Sequence, residues 1–274
     1  MAREWTEFVQ SQLIPWSTDD LGGLRPGASV KQLSRDDQTG ALSLVVRYPE
    51  GFSAPGGTLA VDEEFLVLEG TLAAGPRTFG PLGYAHWPAG FDGGAMISQG
   101  GATLLLFFSG TPIRNGAPAL FDSARLVEQI DGFEIPYTGN FHPEFPVGAG
   151  RKLLYTDPES GDTSWILGTM PLRWATRPER HPVVEEMYLL SGEVHGNCGV
   201  MRPGAYFWRP PHKEHGPYGS LTGNVYFFRT EGGSLTTDYV DSSTKFTWWP
   251  AYAPLLPPSL EEARGETESI ARNW

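Results

Sequence analysis

Histidines are concentrated in one part of the 274-residue chain. The six are His86, His142, His181, His195, His212 and His215, and four of them fall between positions 181 and 215. An even distribution would place fewer than one histidine in a window of that length. Neutral imidazole is a common metal ligand, and histidine is also the side chain that titrates nearest to neutral pH. The concentration therefore predicts a metal centre or an acid–base site in this segment.

Two carboxylates are separated from the first histidine of this group by an even number of positions. If the segment is extended, alternation places Glu179, His181, Glu185 and Met187 on one face and Glu186 on the other. Burying carboxylates costs several kcal/mol unless a cation or hydrogen bonds compensate, so an inward-facing set of this kind requires a partner.

A second segment can complete a ligand set. His215 follows Pro210 and Pro211, and we expect it to arrive from another strand to join His181 and Glu185. Two histidines and one carboxylate leave coordination positions open, which suits iron(II) and also manganese or zinc. A metal-free core in which the same side chains bond to one another is the alternative.

The elements that position these residues are indicated by an internal repeat. Residues 36–40 (DDQTG) align with 157–161 (DPESG), and residues 63–70 (EEFLVLEG) align with 185–192 (EEMYLLSG). Further landmarks, a glycine followed by a tryptophan and an LFF/YFF pair, keep the same order at offsets between 120 and 122. The pattern predicts a duplicated domain of about 120 residues.

The apolar segments of each copy are typical of strands. They are short, rich in β-branched and aromatic residues, and bounded by glycine or proline. The predicted strands are 41–48, 65–73, 103–108, 164–170, 187–194, 206–208 and 224–229. One short helix is predicted near the C-terminus, with Ser259 as the cap of residues 260–264. Many short strands separated by turns indicate a sandwich or small barrel in each copy.

Two segments resemble the motifs of the cupin family. Residues 204–215 (GAYFWRPPHKEH) resemble the second cupin motif, in which a glycine, a proline and a histidine recur at this spacing, and residues 181–192 (HPVVEEMYLLSG) are similar to the second half of the first motif. The resemblance implies an all-β fold of two tandem cupin barrels (double-stranded β-helix or jelly-roll), occupying residues 1–125 and 126–250, followed by a tail with a short C-terminal helix at 251–274. The resemblance is closest to the cupins of zinc-binding anti-sigma factors and to uncharacterised tandem cupins. Similarity to this group does not indicate which reaction is catalysed.

The chain departs from the family pattern at two positions. Glu179 stands where the first motif usually has a histidine, and His212 stands where the second usually has a glycine. The resemblance makes Glu179 either a fourth metal ligand, as a carboxylate is in the similar manganese bicupin ureidoglycine aminohydrolases, or a proton-transfer group. His212 is the other candidate for a catalytic acid–base group or an additional ligand.

The N-terminal copy lacks the corresponding ligands. Leu59 matches His181, and the region that matches His215 reads Gly-Gly-Ala at 93–95, so Glu63 remains alone. We expect this copy to bind no metal, to serve as a structural or dimerising half, and to keep Glu63 neutralised or hydrogen-bonded.

The residue pattern supports several functions. Tyr206, Trp208, Met187 and Trp174 are predicted to line a pocket for a small apolar or aromatic substrate, with a structural core role as the alternative for the aromatic ones. The leading hypothesis is a mononuclear enzyme with one divalent ion in the C-terminal cupin: a non-haem iron(II) dioxygenase or related oxidoreductase. Manganese, zinc or nickel remain open, with an isomerase, lyase or hydrolase as the reaction. A non-catalytic sensor of a metal or small molecule is the alternative from another class.

Charge and cysteine content restrict the partners. Lys and Arg number 20 and Asp and Glu 32, a net charge of −12, which is the wrong sign for nucleic acid or an anionic membrane. The single cysteine, Cys198, cannot form an internal disulfide. The charged residues Arg3, Glu4 and Glu7 stand where a secretory signal peptide would need an apolar core. These features predict a soluble, cytoplasmic protein, and exposed strand edges in the metal-free copy predict a homodimer.

Overall fold

The computed structural model describes residues 3–18, 21–114, 120–139, 147–268 and 274. The chain divides into two compact units, the first comprising Met1–Glu4 and Pro15–Ile135 and the second Trp5–Ile14 and Pro136–Trp274. The sequence placed the boundary between the domains after residue 125, whereas the first unit extends to Ile135. The second unit also includes a short N-terminal segment, Trp5–Ile14. His142 falls outside the described residues.

The first unit consists of two antiparallel sheets, while the first strand of the chain, β1 (Thr6–Gln10), belongs to the second unit. The strands of the first unit are β2 (Ser29–Arg35), β3 (Leu42–Tyr48), β4 (Phe52–Ala54), β5 (Glu63–Gly70), β6 (Leu72–Ala74), β7 (Arg77–Phe79), β8 (Gly83–Trp87), β9 (Met96–Ser98), β10 (Ala102–Phe108) and β11 (Val127–Asp131). The six-stranded sheet has the order β11-β8-β5-β10-β3-β2, and the four-stranded sheet has the order β4-β9-β6-β7.

The second unit repeats this arrangement. Its further strands are β12 (Ala149–Thr156), β13 (Thr163–Thr169), β14 (Arg173–Trp174), β15 (Glu179–Arg180), β16 (Val184–Gly192), β17 (Val194–Gly196), β18 (Gly199–Met201), β19 (Ala205–Arg209), β20 (Gly219–Ser220), β21 (Asn224–Glu231) and β22 (Asp238–Tyr239). The six-stranded sheet is β1-β19-β16-β21-β13-β12, the four-stranded sheet is β14-β20-β17-β18, and β15 pairs with β22.

The internal repeat is confirmed by the sheet orders. Strand for strand, β8, β5, β10, β3 and β2 of the first unit occupy the places of β19, β16, β21, β13 and β12 in the second. The sixth place is filled by β11 in the first unit and by β1 in the second. The all-β prediction of two tandem jelly-roll barrels is therefore confirmed.

Each unit has its own apolar core, formed by alternate residues of the strands. In the second unit the inward face of β16 presents Met187 and Leu189, and that of β19 presents Phe207. Glu185 and Arg209 continue the same alternation at one end of these strands, so the period of two that builds the core also directs charged side chains into it.

The predicted C-terminal helix is present as a 3-10 helix over Pro258–Ala263. Its N-cap is Pro257, so Ser259 lies inside the first turn and is not the cap that the sequence suggested. Proline at the first helical position has a fixed φ and no N–H to satisfy, which explains the earlier start. Among the helices that the structure describes, none is long and apolar enough to cross a membrane.

Candidate metal centre

Three side chains of the second unit converge on one point. Glu179, His181 and His215 each offer a ligand atom, and these atoms lie within 4.8 Å of one another. Glu179 and His215 face each other in an isolated antiparallel bridge, in which the N–H of each donates to the carbonyl of the other at 3.0 and 2.9 Å. The N–H of His212 donates to the carbonyl of His181 at 2.7 Å. The backbone thus fixes the spacing of the ligand-bearing segments.

Hydrogen bonds set the tautomers of the two histidines. Nδ1 of His181 lies 2.8 Å from the carbonyl oxygen of Thr236, and Nδ1 of His215 lies 2.9 Å from that of Lys213. A carbonyl can only accept, so each neutral ring carries its proton on Nδ1 and presents the lone pair of Nε2 to the cluster. This is the outer hydrogen-bond pattern that orients histidines toward metal ions.

The spacing of the ligand atoms fits an ion between them. His215 Nε2 lies 3.8 Å from Glu179 Oε1 and 3.6 Å from Glu185 Oε2, and His181 Nε2 lies 3.7 Å from Glu185 Oε1. These separations are too long for hydrogen bonds. Metal–ligand bonds of about 2.1 Å place neighbouring ligand atoms about 3 to 3.5 Å apart, so a small inward movement would complete a coordination sphere.

Protonation states also favour a cation. Burial lowers the pKa of His215 well below its ordinary value, and the Arg209 guanidinium and the His181 ring lower it further. Burial raises the pKa of the Glu179 carboxyl; His181 opposes this rise, while the carboxylate of Glu185 adds to it. A neutral imidazole and a carboxylate whose charge is poorly solvated are the forms that a divalent ion would stabilise.

Glu185, predicted as a ligand, divides its carboxylate between two partners. Its Oε1 faces His181, while its Oε2 accepts a hydrogen bond from Nη1 of Arg209. Arg209 also pairs with Glu7 through two hydrogen bonds, of which Nε to Oε2 measures 2.8 Å, and donates to the hydroxyl of Tyr218 at 2.9 Å. Oε1 of Glu185 is thus directed at the cluster, and part of the acidic charge is balanced by the chain itself.

Glu7 and Arg209 are residues beside the candidate site that the sequence interpretation missed. Extending the strand predicted at 206–208 by one residue would have placed Arg209 on the same face as Phe207, facing Glu185. The only sign of Glu7 in the sequence is that this carboxylate directly precedes two apolar residues, Phe8 and Val9. A contact over 202 residues cannot be read from local pattern.

A cavity of about 90 Å³ adjoins the cluster. Glu179, His181 and Glu185 form part of its wall, and Arg173, Thr237 and Tyr239 add further polar groups. The remaining wall is mainly apolar and includes Trp165, Leu167, Met187, Phe207, Phe228 and Leu235. A metal ion held at the cluster would face an enclosure that admits a small molecule and little water.

Of the four residues predicted to bind substrate, the structure brings Met187 to this cavity. Tyr206 and Trp208 point to the opposite face of β19, where the Tyr206 hydroxyl donates to Glu186 at 2.6 Å. Strand β19 carries aromatic residues on both faces, so composition alone could not show which of them face the cavity. Trp174 is 53% exposed and packs edge-on against Trp248, outside the described lining of the cavity.

His212 lies outside the metal cluster, contrary to the expectation that it acts as a ligand or acid–base group there. Its side chain is exposed, and its φ of +63° is in the left-handed region. That conformation explains why the resembling motif has glycine at this position. The contribution of His212 in this structure is its backbone bond to His181.

In the first unit, the equivalent carboxylate has a different partner. Glu63 forms an ion pair with Arg25, whose Nε donates to the Tyr48 hydroxyl at 3.0 Å. The expectation that Glu63 is hydrogen-bonded is confirmed. Leu59 is buried at the position that matches His181.

Comparison with known proteins identifies both halves of the chain. Residues 139–234 match the family described as the ChrR cupin-like domain, and residues 11–112 match a domain of unknown function, DUF4437. No functionally curated protein matches the chain significantly in sequence.

Solved structures share the fold over most of the chain. A candidate dioxygenase from Nostoc punctiforme is 19% identical, with a TM-score of 0.79 over 88% of this chain and 92% of its own. A candidate glyoxylate-induced protein from Pseudomonas aeruginosa is 13% identical, with a TM-score of 0.62 over 90% and 94%. An oxalate decarboxylase mutant from Bacillus subtilis is 11% identical, with a TM-score of 0.57 over 85% and 79%. Together with the duplicated sheets, these matches show that residues 139–234 carry a cupin-like domain and that the two units have the fold of tandem cupin barrels.

Proposed function

We propose that the second unit binds one divalent metal ion through Glu179, His181 and His215, with Oε1 of Glu185 as the fourth protein ligand, and that the protein is a metal-dependent enzyme acting on a small organic substrate. The observation that carries this proposal is the convergence of the first three ligand atoms within 4.8 Å, with both histidines oriented by backbone carbonyls.

The preferred reaction is an oxidation with iron(II) as the metal. Two imidazoles and two carboxylates suit iron(II), and the likeness in fold to a candidate dioxygenase supports this direction. Bound iron(II) would supply the redox chemistry. The residues of the chain supply the rest: the apolar wall excludes water, and Arg209 orients Glu185 through a hydrogen bond to Oε2.

Within this site, Glu179 is the group suited to move a proton. Its carboxyl lines the cavity, and burial raises its pKa, so it exchanges a proton more readily near neutral pH than an exposed glutamate does. Its place beside His215 would let it serve as a ligand in one state and as a base in another.

A manganese- or zinc-dependent isomerase, lyase or hydrolase is the second candidate. The carboxylates of the donor set also suit manganese, and one related fold is that of an oxalate decarboxylase described with manganese(II) centres. A non-catalytic sensor of a metal or small molecule would use the same ligands without turnover.

Elemental analysis tests the metal site. Protein loaded with iron(II) without oxygen, and separately with manganese(II) or zinc(II), should retain about one ion per chain after desalting, and His181→Ala should lose it. His212→Asn is the matched control, since it removes a neighbouring imidazole outside the cluster and tolerates a positive φ. Less than about 0.2 ion per chain in the unaltered protein, unchanged by His181→Ala, would contradict the proposal.

Oxygen consumption separates the candidate functions. Iron-loaded protein is expected to consume oxygen with at least one member of a panel of diketones, catechols and hydroxyketones, and His215→Ala should abolish the uptake. Turnover of such compounds with manganese or zinc and without oxygen uptake would instead favour the second candidate. Stoichiometric binding without turnover would favour a sensor.

A further inference from the structure

We propose that Asp162 is a positioning residue for His181, and that it acts through a segment at the wall of the cavity in the second unit. This segment, residues 232–240, forms a strap along one side of the cavity. The inference rests on the proposed function, because it treats His181 as a metal ligand. It adds a residue outside the cluster on which the orientation of that ligand depends.

The strap separates the cavity from solvent. Its odd-numbered residues from Leu235 to Tyr239 line the cavity, whereas its even-numbered residues from Ser234 to Asp238 are exposed. None of residues 232–240 is fully buried. A segment with so little buried surface is not held by core packing, so its path depends on hydrogen bonds at its two ends.

The middle of the strap carries the group that orients His181. Nδ1 of His181 lies 2.8 Å from the carbonyl oxygen of Thr236 and 3.4 Å from the hydroxyl oxygen of Thr237. The Thr236 carbonyl belongs to the backbone of the strap. The orientation of the His181 ring therefore follows the position of the strap, as outer hydrogen-bond partners orient metal-binding histidines.

One end of the strap is held beside another candidate ligand. Strand β22 pairs with β15, and in this register Tyr239 lies opposite Glu179. The N–H of Val240 donates to the carbonyl of Pro178 at 2.9 Å. This end of the strap is thus fixed relative to Glu179.

Asp162 holds the other end. The strap leaves β21 through Gly232 and Gly233, whose φ angles of +93° and +129° suit glycine. The N–H groups of both glycines donate to Oδ1 of Asp162 at 2.7 Å. The backbone of Asp162 belongs to the turn between β12 and β13, where its N–H donates to Oγ of Ser160 at 3.2 Å and its carbonyl accepts from the N–H of Asp157 at 2.8 Å. The turn fixes Asp162, and its side chain fixes the start of the strap.

The first unit has no carboxylate at the corresponding position. The alignment of residues 36–40 with 157–161 places Ala41 opposite Asp162, and Leu59 stands opposite His181. The anchoring carboxylate and the histidine thus occur together in one copy and are both replaced in the other. A role in positioning His181 explains this joint occurrence, whereas a role in the turn alone would serve both copies.

Substitutions at Asp162 separate hydrogen bonding from charge. Asp162→Ala removes the acceptor, whereas Asp162→Asn keeps an oxygen at Oδ1 and removes the charge. Glu159→Ala is the matched control, because it removes an exposed carboxylate from the same turn. The first readout is the ring nitrogen resonances of His181 in metal-free protein, identified by their loss in His181→Ala. We expect them to shift in Asp162→Ala and to keep their positions in Asp162→Asn and Glu159→Ala.

Hydrogen exchange and metal affinity are measured on the same variants. In Asp162→Ala the amides of Gly232 and Gly233 should exchange about tenfold faster, because each loses its acceptor. Manganese(II) should bind about three- to tenfold more weakly to Asp162→Ala at an unchanged number of ions per chain, and within about twofold of the unaltered protein in Asp162→Asn.

If Asp162→Ala does not fold, Ser234→Ala takes its place. It removes the neighbouring bond from Oγ of Ser234 to the carbonyl of Gly161 at 2.9 Å and should shift the same His181 resonances. Unchanged His181 resonances in folded Asp162→Ala, or equal effects of the Ala and Asn substitutions, would overturn the inference. Protein that takes up no metal would contradict the proposed function, and the resonances of metal-free protein would still decide whether Asp162 positions His181.

Discussion

Arg209 is the residue that pairs with the buried carboxylates beside the candidate metal centre. It is 1% exposed and pairs with both Glu7 and Glu185. The carboxylates around it, Glu7 first, raise its pKa although burial opposes its charge. Removing one member of a buried ion network leaves the other charges uncompensated, which costs more than the intact network contributes.

We therefore expect Arg209→Met to lower the free energy of unfolding of the metal-free protein by about 3–5 kcal/mol. Added metal should recover part of this loss, because a divalent ion can balance Glu185 but does not reach the outer pair with Glu7. Urea unfolding with and without manganese measures both effects. Arg264→Met, which breaks an exposed pair with Glu261, is the control and should change little. Equal losses for the two variants would refute the role given to Arg209.

Glu179 should act oppositely on stability and on metal binding. Because burial raises its folded-state pKa above that of the unfolded chain, the folded protein binds the proton more tightly, and stability falls as pH rises through that window. Glu179→Gln should thus raise the thermal midpoint of metal-free protein at pH 7, and the difference should vanish below about pH 4.5. The same variant should bind manganese more weakly. A lower midpoint in chelator-treated protein would contradict this assignment.

At the residue scale, the sequence predicts ligands better than their partners. His181 and His215 lie within two short motifs, and the structure brings them together with Glu179, while the role of His181, Glu185 and His215 as metal ligands stays a prediction. Arg25 and Arg209 each satisfy an inward glutamate in their own unit, at Glu63 and Glu185. Since a glutamate at this position is paired with arginine in both units, a carboxylate alone does not distinguish a metal site from an ion pair; the histidines do.

Strand β1 is the element that completes the second unit. It pairs with β19 in antiparallel register, and Phe8, 2% exposed, packs edge-on against Tyr252 within the core. Glu7 on the same strand reaches Arg209 from the edge of the sheet. A single short segment thus contributes both apolar packing and a charge beside the candidate metal centre.

Phe8→Ala should destabilise the second unit by about 3–5 kcal/mol, through lost burial and the cavity left behind. Hydrogen–deuterium exchange provides a local measurement: β19 and β16 should lose protection, while β3 and β10 of the first unit should keep theirs. Leu13→Ala, at a 39% exposed position of the same segment, serves as the control. Uniform loss of protection throughout the chain would argue against this local assignment.

The strands could be predicted because β-branched and aromatic residues recur between glycines and prolines, and the observed β3, β10, β13, β16 and β21 lie close to their expected positions. The pairing of β1 could not be predicted. It depends on a partner about 200 residues away, and edge strands carry weak patterns of their own. The sequence also could not show which residues of β19 face the cavity, because both faces of this strand are buried.

At the scale of the whole molecule, association of two chains stays a prediction. Strands β2 and β12 end their six-stranded sheets, and such edges offer backbone groups to another chain. We expect a homodimer of about 60 kDa, twice the 30.0 kDa chain, by light scattering. A mass near that of one chain across micromolar concentrations would exclude it.

The position of β1 also has a consequence for biosynthesis. The segment that carries Glu7 is translated before its partner Arg209, which follows 202 residues later. At about 5–20 residues per second, the ribosome needs roughly 10–40 seconds to cover that distance. Throughout this interval the first unit can fold, while a short apolar strand waits unpaired outside the exit tunnel. Strand β1 can pair with β19 only after β19 has been made, so a nascent chain stalled before β19 should expose β1 to chaperones.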